Sequence, residues 1–265
     1  MTKFGDRTTI PKMTQLNPWG VKARRKRLVL EPWPQAWEAT LVEAAHFSLL
    51  NAEKRTQWRR LIQVLIDEKN WEGCDGLEIT DQVKVTVASQ AALMILAMSD
   101  HYFSSVRSIV VFPTQFEIPQ EEWQEKPEVV LGQAAPDAVL LAWDRALAES
   151  RNLSTGRSLI IHEFAHHLDF EDGYTNGRPR LSDRGQCAQW RKVMSDAFAQ
   201  LSGNLYVCGD ALFGSNAAIN ATEFFSEASE RFFTVPLSLR HFYPSVYEAL
   251  EKYYRIKTVE WFEGR

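Results

Sequence analysis

The stretch "LIIHEFAHHLD", residues 159–169, constrains this chain more than any other segment. His162 and His166 stand four residues apart, with Glu163 between them. On a helix this spacing places both imidazoles on one face, one turn apart, where both can ligate a single ion. A buried carboxylate without a partner is costly, so the pattern favours an HExxH metal site over a helix with surface histidines. The apolar neighbours that predict burial are Ile160, Ile161, Phe164, Ala165 and Leu168.

The donor types in this segment predict zinc. Two neutral imidazoles plus a carboxylate suit Zn²⁺, and a catalytic site leaves the fourth position to water. The pKa of such a water falls to about 7, which lets a nearby carboxylate take its proton. We therefore expect one zinc ion per chain, held by His162 and His166, with Glu163 as the general base.

The residues near the motif do not identify the third ligand of the metal as clearly as the motif identifies the two histidines. Asp172 lies six residues after His166, where an HxxGxxH pattern has its third ligand, but the required Gly at 169 is replaced by Asp169. Asp169 is better interpreted as the acceptor of a hydrogen bond from a ligand imidazole. His167 is rotated by about 100° from His166 and is expected on the helix surface or in an outer layer.

A second group of candidates lies in "NATEFFSEASERFF", residues 220–233. Glu223, Glu227 and Glu230 fall on one helix face, and any of them can reach across to the histidines. Asn220 with Glu223 also matches the start of a capping box, which competes for the same carboxylate. Glu227 and Glu230 also fit a solvated face with Arg231 as a partner. Spacing alone leaves the three open.

Composition excludes several classes of protein. The 265 residues are 45% hydrophobic, which suffices for a sizeable core, and the net charge of −4 predicts no nucleic-acid partner. Three widely spaced cysteines form neither a disulfide framework nor a CxxC clamp. No apolar run reaches membrane-spanning length, so we expect a cytoplasmic protein without membrane contact. G-x-S-x-G, P-loop and Rossmann glycine patterns are missing.

The periodicity along the chain predicts an α+β fold, with a small mixed sheet packed on the HExxH helix and additional N- and C-terminal helices. Residues 1–33 are expected to form an extended basic arm, and 34–265 a single domain whose part 34–70 is helical. We predict helices capped by Asn51, by Thr80 or Asp81, and by Asn220. Predicted strands are "LEIT" (77–80), "VRSIVVF" (106–112), "VVLG" (129–132) and "AVLLAW" (138–143), with a long excursion over 113–137 and a loop over 202–219.

The motif segment and the 220–233 segment together resemble the Mlc titration factor A family of zinc-dependent peptidases, which is distantly like the catalytic domain of anthrax lethal factor. "RSIVVFPTQF" (107–116), "AVLLAWD" (138–144) and residues 243–254 extend the resemblance over about 35–255. The resemblance implies a zincin-like fold, His162 and His166 as ligands and Glu163 as the base. It also implies Glu223 as the third ligand and Glu230 as an outer partner of the ligands.

Two positions depart from the family pattern. Ala221 stands where the family has Pro, a mild change at the first position of a helix. Asn216 stands where the family has a Tyr suited to stabilising an oxyanion, and losing such a donor costs about a hundredfold or more in rate. The other side chains considered as replacements are Tyr174, Tyr206 and His241.

The expected function is therefore zinc-dependent peptide hydrolysis, aminopeptidase-like by resemblance. We expect an extended substrate to pair with an edge strand made of Val139, Leu140, Leu141 and Ala142. The alternative is a protein that titrates a transcriptional regulator, in which the zinc site is structural or regulatory.

Overall fold

The computed structural model describes residues 18–118, 128–181, 183–207, 210 and 212–263. Residues 1–17 of the predicted arm and 119–127 of the predicted excursion lie outside the described residues, as does the side chain of Tyr206. The described part is a mixed α and β structure with a small mixed sheet, which confirms the predicted class. None of its helices is both long and apolar enough to span a bilayer.

The N-terminal helices are α1 (Pro18–Leu28), α2 (Gln35–Glu43), α3 (Ala52–Glu68) and α4 (Asp81–Met94). The predicted caps are confirmed, because the Asn51 side chain accepts from Lys54 N and the Thr80 hydroxyl from Val83 N. The prediction of an extended arm is wrong over residues 18–28, which form helix α1. Helix α1 lies on α3, where Arg24 and Arg25 pair with the two acidic residues of its last turn at 2.7 and 2.6 Å.

The main sheet has the order β1 (Asn70–Gly73), β2 (Ser108–Phe112), β6 (Ala138–Ala142) and β5 (Gly132–Ala135). β1, β2 and β6 are parallel, and β5 is antiparallel to β6. A separate antiparallel pair is formed by β3 (Phe116–Ile118) and β4 (Glu128–Val130). The strand predicted at 77–80 is wrong, because the chain pairs with β2 earlier, at residues 70–73.

The prediction of an edge strand at Val139–Ala142 is wrong. β6 lies between β2 and β5, and Val139 and Leu141 are fully buried on one of its faces. Leu140 pairs with Val110 of β2 on one side and Gln133 of β5 on the other. The hairpin with β6 places β5 outermost, so β5 is the edge of the sheet on this side and β1 is the opposite edge.

The remaining helices are α5 (Trp143–Arg151), α6 (Leu159–Asp169), α7 (Arg184–Val207), α8 (Ala221–Thr234), α9 (Pro236–Phe242), α10 (Pro244–Tyr254) and α11 (Val259–Phe262). α7 continues through Ser202, Gly203 and Asn204, where a loop was predicted. α6, which carries the HExxH motif, contacts β5 and β6 of the sheet and also α8. α8 is apolar enough to be buried along most of its length, with Phe224, Phe225, Phe232 and Phe233 in the core.

Candidate metal centre

The first helix of the site is α6, which is capped by the side chain of Ser158 and carries the HExxH motif beside a cleft. The Ser158 hydroxyl accepts a hydrogen bond from Ile161 N at 3.3 Å, and α6 starts at Leu159. Ile160, Ile161 and Leu168 are buried in the core. The opposite side of the helix therefore carries the two histidines, His162 and His166, which are partly exposed to the cleft.

The second helix of the site, α8, is capped by a side chain that leaves Glu223 available. Asn220 Oδ1 accepts from Glu223 N at 2.9 Å, so one half of the capping-box pattern is present. The Glu223 carboxylate points to the histidines instead, with Oε2 at 3.2 Å from His162 Nε2 and Oε1 at 3.5 Å from His166 Nε2. The cap uses the backbone of Glu223 and the cluster uses its side chain, so the two roles do not compete.

The two imidazoles aim the same ring atom at the same point. His162 Nε2 and His166 Nε2 lie 3.1 Å apart, and with the Glu223 carboxylate all three donors lie within 4.8 Å of one another. Two donors at about 2.0–2.1 Å from one tetrahedral zinc ion lie about 3.3 Å apart. The spacing of this His, His and Glu group therefore fits a metal ion such as zinc.

The electrostatics of the cluster also favour a cation. Burial alone lowers the pKa of His162, but hydrogen bonds to Glu223 and Glu230 outweigh it and hold that pKa well above its usual value. Burial raises the pKa of Glu163 to about 7, and the neighbouring Glu223 and Glu230 contribute in the same direction. Several carboxylates thus surround a point that is best occupied by positive charge.

Glu163 is positioned by the edge strand. Glu163 is buried, with 5% of its surface exposed. Its carboxylate accepts a hydrogen bond from the backbone N–H of Ala134 in β5. Gly132 of the same strand lies directly over it: a Cβ atom at this position would overlap the Glu163 carboxylate and lie 2.8 Å from Leu159 Cδ1. β5 can approach α6 this closely because residue 132 has no side chain.

Both histidines of the pair are held on their second ring nitrogen by α8. The Glu230 carboxylate lies 2.9 Å from His162 Nδ1, and the Ser226 hydroxyl lies 3.1 Å from His166 Nδ1. Such partners fix the tautomer and the ring orientation of ligand histidines. The sequence analysis missed Ser226, although its position three residues after Glu223 and four before Glu230 places it on the same helix face.

The other candidates from the sequence analysis lie away from the cluster. Asp169 accepts no hydrogen bond from a ligand imidazole; it accepts from Gly177 N at 2.9 Å, Arg178 N at 2.6 Å and Thr222 Oγ1 at 3.1 Å. It therefore ties the loop after α6 to the first turn of α8. Asp172 lies 3.6 Å from the Arg178 guanidinium.

Two further candidates have partners of their own. His167 is buried, and its Nε2 donates to Ala138 O at 3.1 Å. Glu227 accepts from the buried Arg231 at 3.0 Å.

The cluster opens into a cleft of about 800 Å³ bordered by β5, α6 and α8. Asn216 lines this cleft together with Ile219 and Thr222. Tyr174 and His241 do not line it, and both are exposed. Of the residues considered as oxyanion donors, Asn216 is the one whose described side chain borders the cleft.

Comparison with known proteins agrees with this site. The model of the glucose-regulated metallo-peptidase family M90 matches residues 20–255, so the chain belongs to this family of metallopeptidases. The chain is 29% identical over 240 residues to an uncharacterized protein of Synechocystis, with 87% of each chain covered. It is 28% identical over 227 residues to Mlc titration factor A of Yersinia pestis. This match covers 80% of this chain and 83% of that protein. The family resemblance expected from the sequence is confirmed.

Proposed function

We propose that this metallopeptidase is zinc-dependent and zincin-like, with His162, His166 and Glu223 holding one zinc ion and Glu163 acting as general base. The observation that carries the proposal is the convergence of the two Nε2 atoms and the Glu223 carboxylate within 4.8 Å. Two neutral imidazoles and one carboxylate form the donor set of many catalytic zinc sites. Glu163 precedes the second histidine by three residues and lines the same cleft.

The residues around the cluster divide the chemistry between them. A bound zinc ion supplies polarisation of the scissile carbonyl and acidification of a water molecule. With zinc held by His162, His166 and Glu223, Glu163 would be the carboxylate of the cleft that accepts a proton from the attacking water and returns it to the leaving amine. Asn216 donates a hydrogen bond to the oxyanion that develops on the carbonyl.

The substrate is a peptide that binds in extended form along β5. This strand is one of the two edges of the sheet and borders the cleft along its whole length. An edge strand offers unpaired main-chain groups to an incoming peptide, and adjacent pockets then select its side chains. A cleft of about 800 Å³ holds a short peptide segment, which is in keeping with aminopeptidase-like action on peptides with a free N-terminus.

The substitution Glu163→Gln tests the proposal, because it removes the base and keeps the size of the side chain. We expect one equivalent of bound zinc in both proteins and a rate of peptide hydrolysis lower by about 10²–10⁴-fold in the variant. Zinc is measured by elemental analysis and hydrolysis with short fluorogenic peptides. Glu248→Gln, at an exposed position of α10, is the matched control. Full activity of Glu163→Gln rules out the assigned mechanism.

The second candidate function is binding of a transcriptional regulator, with the metal site structural or regulatory. It is favoured by the name of the relative Mlc titration factor A and by Asn216 in the cleft, a short amide at the position where the family resemblance implies a Tyr. Retained binding of a purified regulator by His162→Ala protein, together with no hydrolysis by the wild type, supports this candidate. Hydrolysis by the wild type that is lost in His162→Ala supports the peptidase.

A further inference from the structure

The cleft is charged at one end and uncharged at the other. The charged end lies beside the N-terminus of α6, and its lining includes Arg145, Glu149, Arg157, Glu227 and Arg231. At the other end, beside the C-terminus of α6, the lining residues are Ala135, Pro136, His167, Phe170 and Thr175. A peptide that crosses the metal cluster along β5 therefore meets a different chemistry on each side of the scissile bond.

The carboxylates at the charged end are already engaged. Glu149 accepts from Leu159 N at 2.6 Å and lies 3.8 Å from the Arg145 guanidinium. Glu227 accepts from Arg231 at 3.0 Å, and both residues of this pair are buried. These acids have their partners within the protein, so they offer little to a positively charged ligand.

Arg157 differs from the other charged residues at this end because its side chain has no partner within the protein among the described residues. Within the described parts of the chain its guanidinium takes part in no ion pair or hydrogen bond, while its backbone N–H donates to Thr155 Oγ1 at 3.2 Å. The side chain is exposed at the wall of the cleft. Burial raises the pKa of Glu149 and of Glu227, and the charge of Arg157 is among those that oppose both shifts. Arg157 thus lies close to the cleft acids without being bound by either.

The direction of the strand indicates which part of a substrate reaches Arg157. β5 runs alongside α6 in the same sense, since Gly132 lies over Leu159 and Glu163 while His167 contacts Ala138, just after the end of β5. A peptide that adds antiparallel to β5 runs from the His167 end of the cleft to the Arg157 end. Its residues C-terminal to the scissile bond then lie at the charged end.

We propose that Arg157, assisted by Arg145, forms a subsite for a carboxylate of the substrate on the C-terminal side of the scissile bond. The carboxylate is either an acidic side chain or the free C-terminus of a short peptide. A guanidinium with all its donors available binds a carboxylate through two parallel hydrogen bonds. This inference rests on the proposed peptidase function and assigns the substrate class of that same site.

Two series of peptides distinguish the two sources of the carboxylate. In one, a single Glu or Gln is placed in turn at each position after the scissile bond of an alanine-based peptide. In the other, the same peptide ends in a free acid or an amide. In one of the two series we expect the wild type to cleave the acidic peptide with a kcat/KM about 3- to 10-fold higher than that of its uncharged counterpart. This is the effect expected of a charge-assisted hydrogen bond that is partly exposed to solvent.

The substitution Arg157→Gln is expected to bring this ratio close to one. Arg151→Gln is the matched control, because Arg151 is also exposed but pairs with Glu43 outside the cleft, and it should keep the wild-type ratio. Wild-type hydrolysis with equal kcat/KM for acidic and amide peptides overturns the subsite and leaves the peptidase function intact.

A binding experiment makes the test independent of turnover. Zinc-loaded Glu163→Gln protein is titrated with the same Glu and Gln peptides by calorimetry, with and without the additional Arg157→Gln substitution. Tighter binding of the acidic peptide that disappears with Arg157→Gln supports the subsite even if the wild type hydrolyses neither peptide. Equal dissociation constants for the two peptides overturn it.

Discussion

Glu230 connects His162 to the start of the helix that carries it. One carboxylate oxygen lies 2.9 Å from His162 Nδ1, and the other accepts a hydrogen bond from Ser158 N at 2.7 Å. Ser226 holds His166 Nδ1 at 3.1 Å from the same face of α8. One face of α8 therefore provides the carboxylate of the metal cluster and a partner for each imidazole of α6.

Removing these partners should weaken metal binding without unfolding the chain. We expect Glu230→Gln to lower zinc affinity by about 10- to 100-fold, and Ser226→Ala to lower it less, because a neutral hydroxyl orients an imidazole more weakly than a carboxylate does. Affinity is measured by competition with a chromophoric chelator. Ser229→Ala is the control on α8, since the Ser229 hydroxyl bonds to Phe225 O and Tyr254 instead. An equal loss in all three variants contradicts the orienting role.

Glu223 and Glu227 can be separated by their effect on the metal. Glu223 lies within 3.5 Å of both imidazoles, whereas Glu227 is engaged by Arg231. Loss of a direct ligand costs more than loss of an outer partner, so Glu223→Gln should lower zinc affinity by more than about 100-fold. Glu227→Gln should stay within a few-fold of wild type in the same chelator competition. The assignment of the third ligand fails if the order is reversed.

Gly132, which lines the cleft, is predicted not to tolerate a side chain. The Cβ atom introduced by Gly132→Ala overlaps the Glu163 carboxylate and displaces either β5 or the base. A displacement of about 1 Å in a reacting group can cost about 10²-fold in rate, so we expect a loss of this size in kcat. Zinc content should be unchanged. Gly203→Ala, in α7, is the control and should keep full activity, because the new Cβ meets nothing within 4 Å beyond its chain neighbours and its own helix backbone.

Acid stability should depend on His46, which is far in sequence from the cleft. This side chain is fully buried, and its Nε2 donates to Phe233 O at 2.9 Å. Burial lowers its pKa from 6.5 to about 4, so the unfolded chain binds this proton more readily than the folded one. The contribution of His46 to the free energy of unfolding is fully present above pH 6.5. It is lost as the pH drops towards 4, which lowers the free energy of unfolding by about 3 kcal/mol.

The His46 contribution is measured as the pH dependence of the free energy of unfolding in urea. We expect His46→Gln to flatten the loss between pH 6.5 and 4, whatever its effect at neutral pH. His241→Gln, at an exposed position of α9, should keep the wild-type slope. A wild-type slope in His46→Gln assigns the acid sensitivity to other groups.

Local signals in the sequence predicted where three helices begin, one of which, α8, belongs to the site. Asn51, Thr80 and Asn220 cap helices as expected, because a short polar side chain before an amphipathic stretch accepts from a backbone N–H of the first turn. The same reasoning left Glu223, Glu227 and Glu230 as equals. Their different partners depend on how α8 packs on α6, which is a long-range contact that helical spacing does not contain.

Strand neighbours were harder to predict than helices. Val139–Ala142 has the apolar pattern of a strand, but the pattern does not tell which of two adjacent strands is outermost. The hairpin whose turn is formed by Pro136 and Asp137 decides this by placing Gly132–Ala135 beyond β6. Asp169 was assigned to an imidazole because it follows His166 on the same helix. In the fold its carboxylate turns to Gly177, whose φ of +70° and close approach to Ala221 require a glycine.

The shortness of β5 also affects how copies of this protein meet. An exposed sheet margin invites a second chain to continue the sheet, and proteins limit this hazard with short strands and with proline. β5 has only four residues and is followed directly by Pro136, so two molecules that met along it would share few main-chain bonds. The strand proposed to bind one extended peptide at a time is thus a poor template for aggregation.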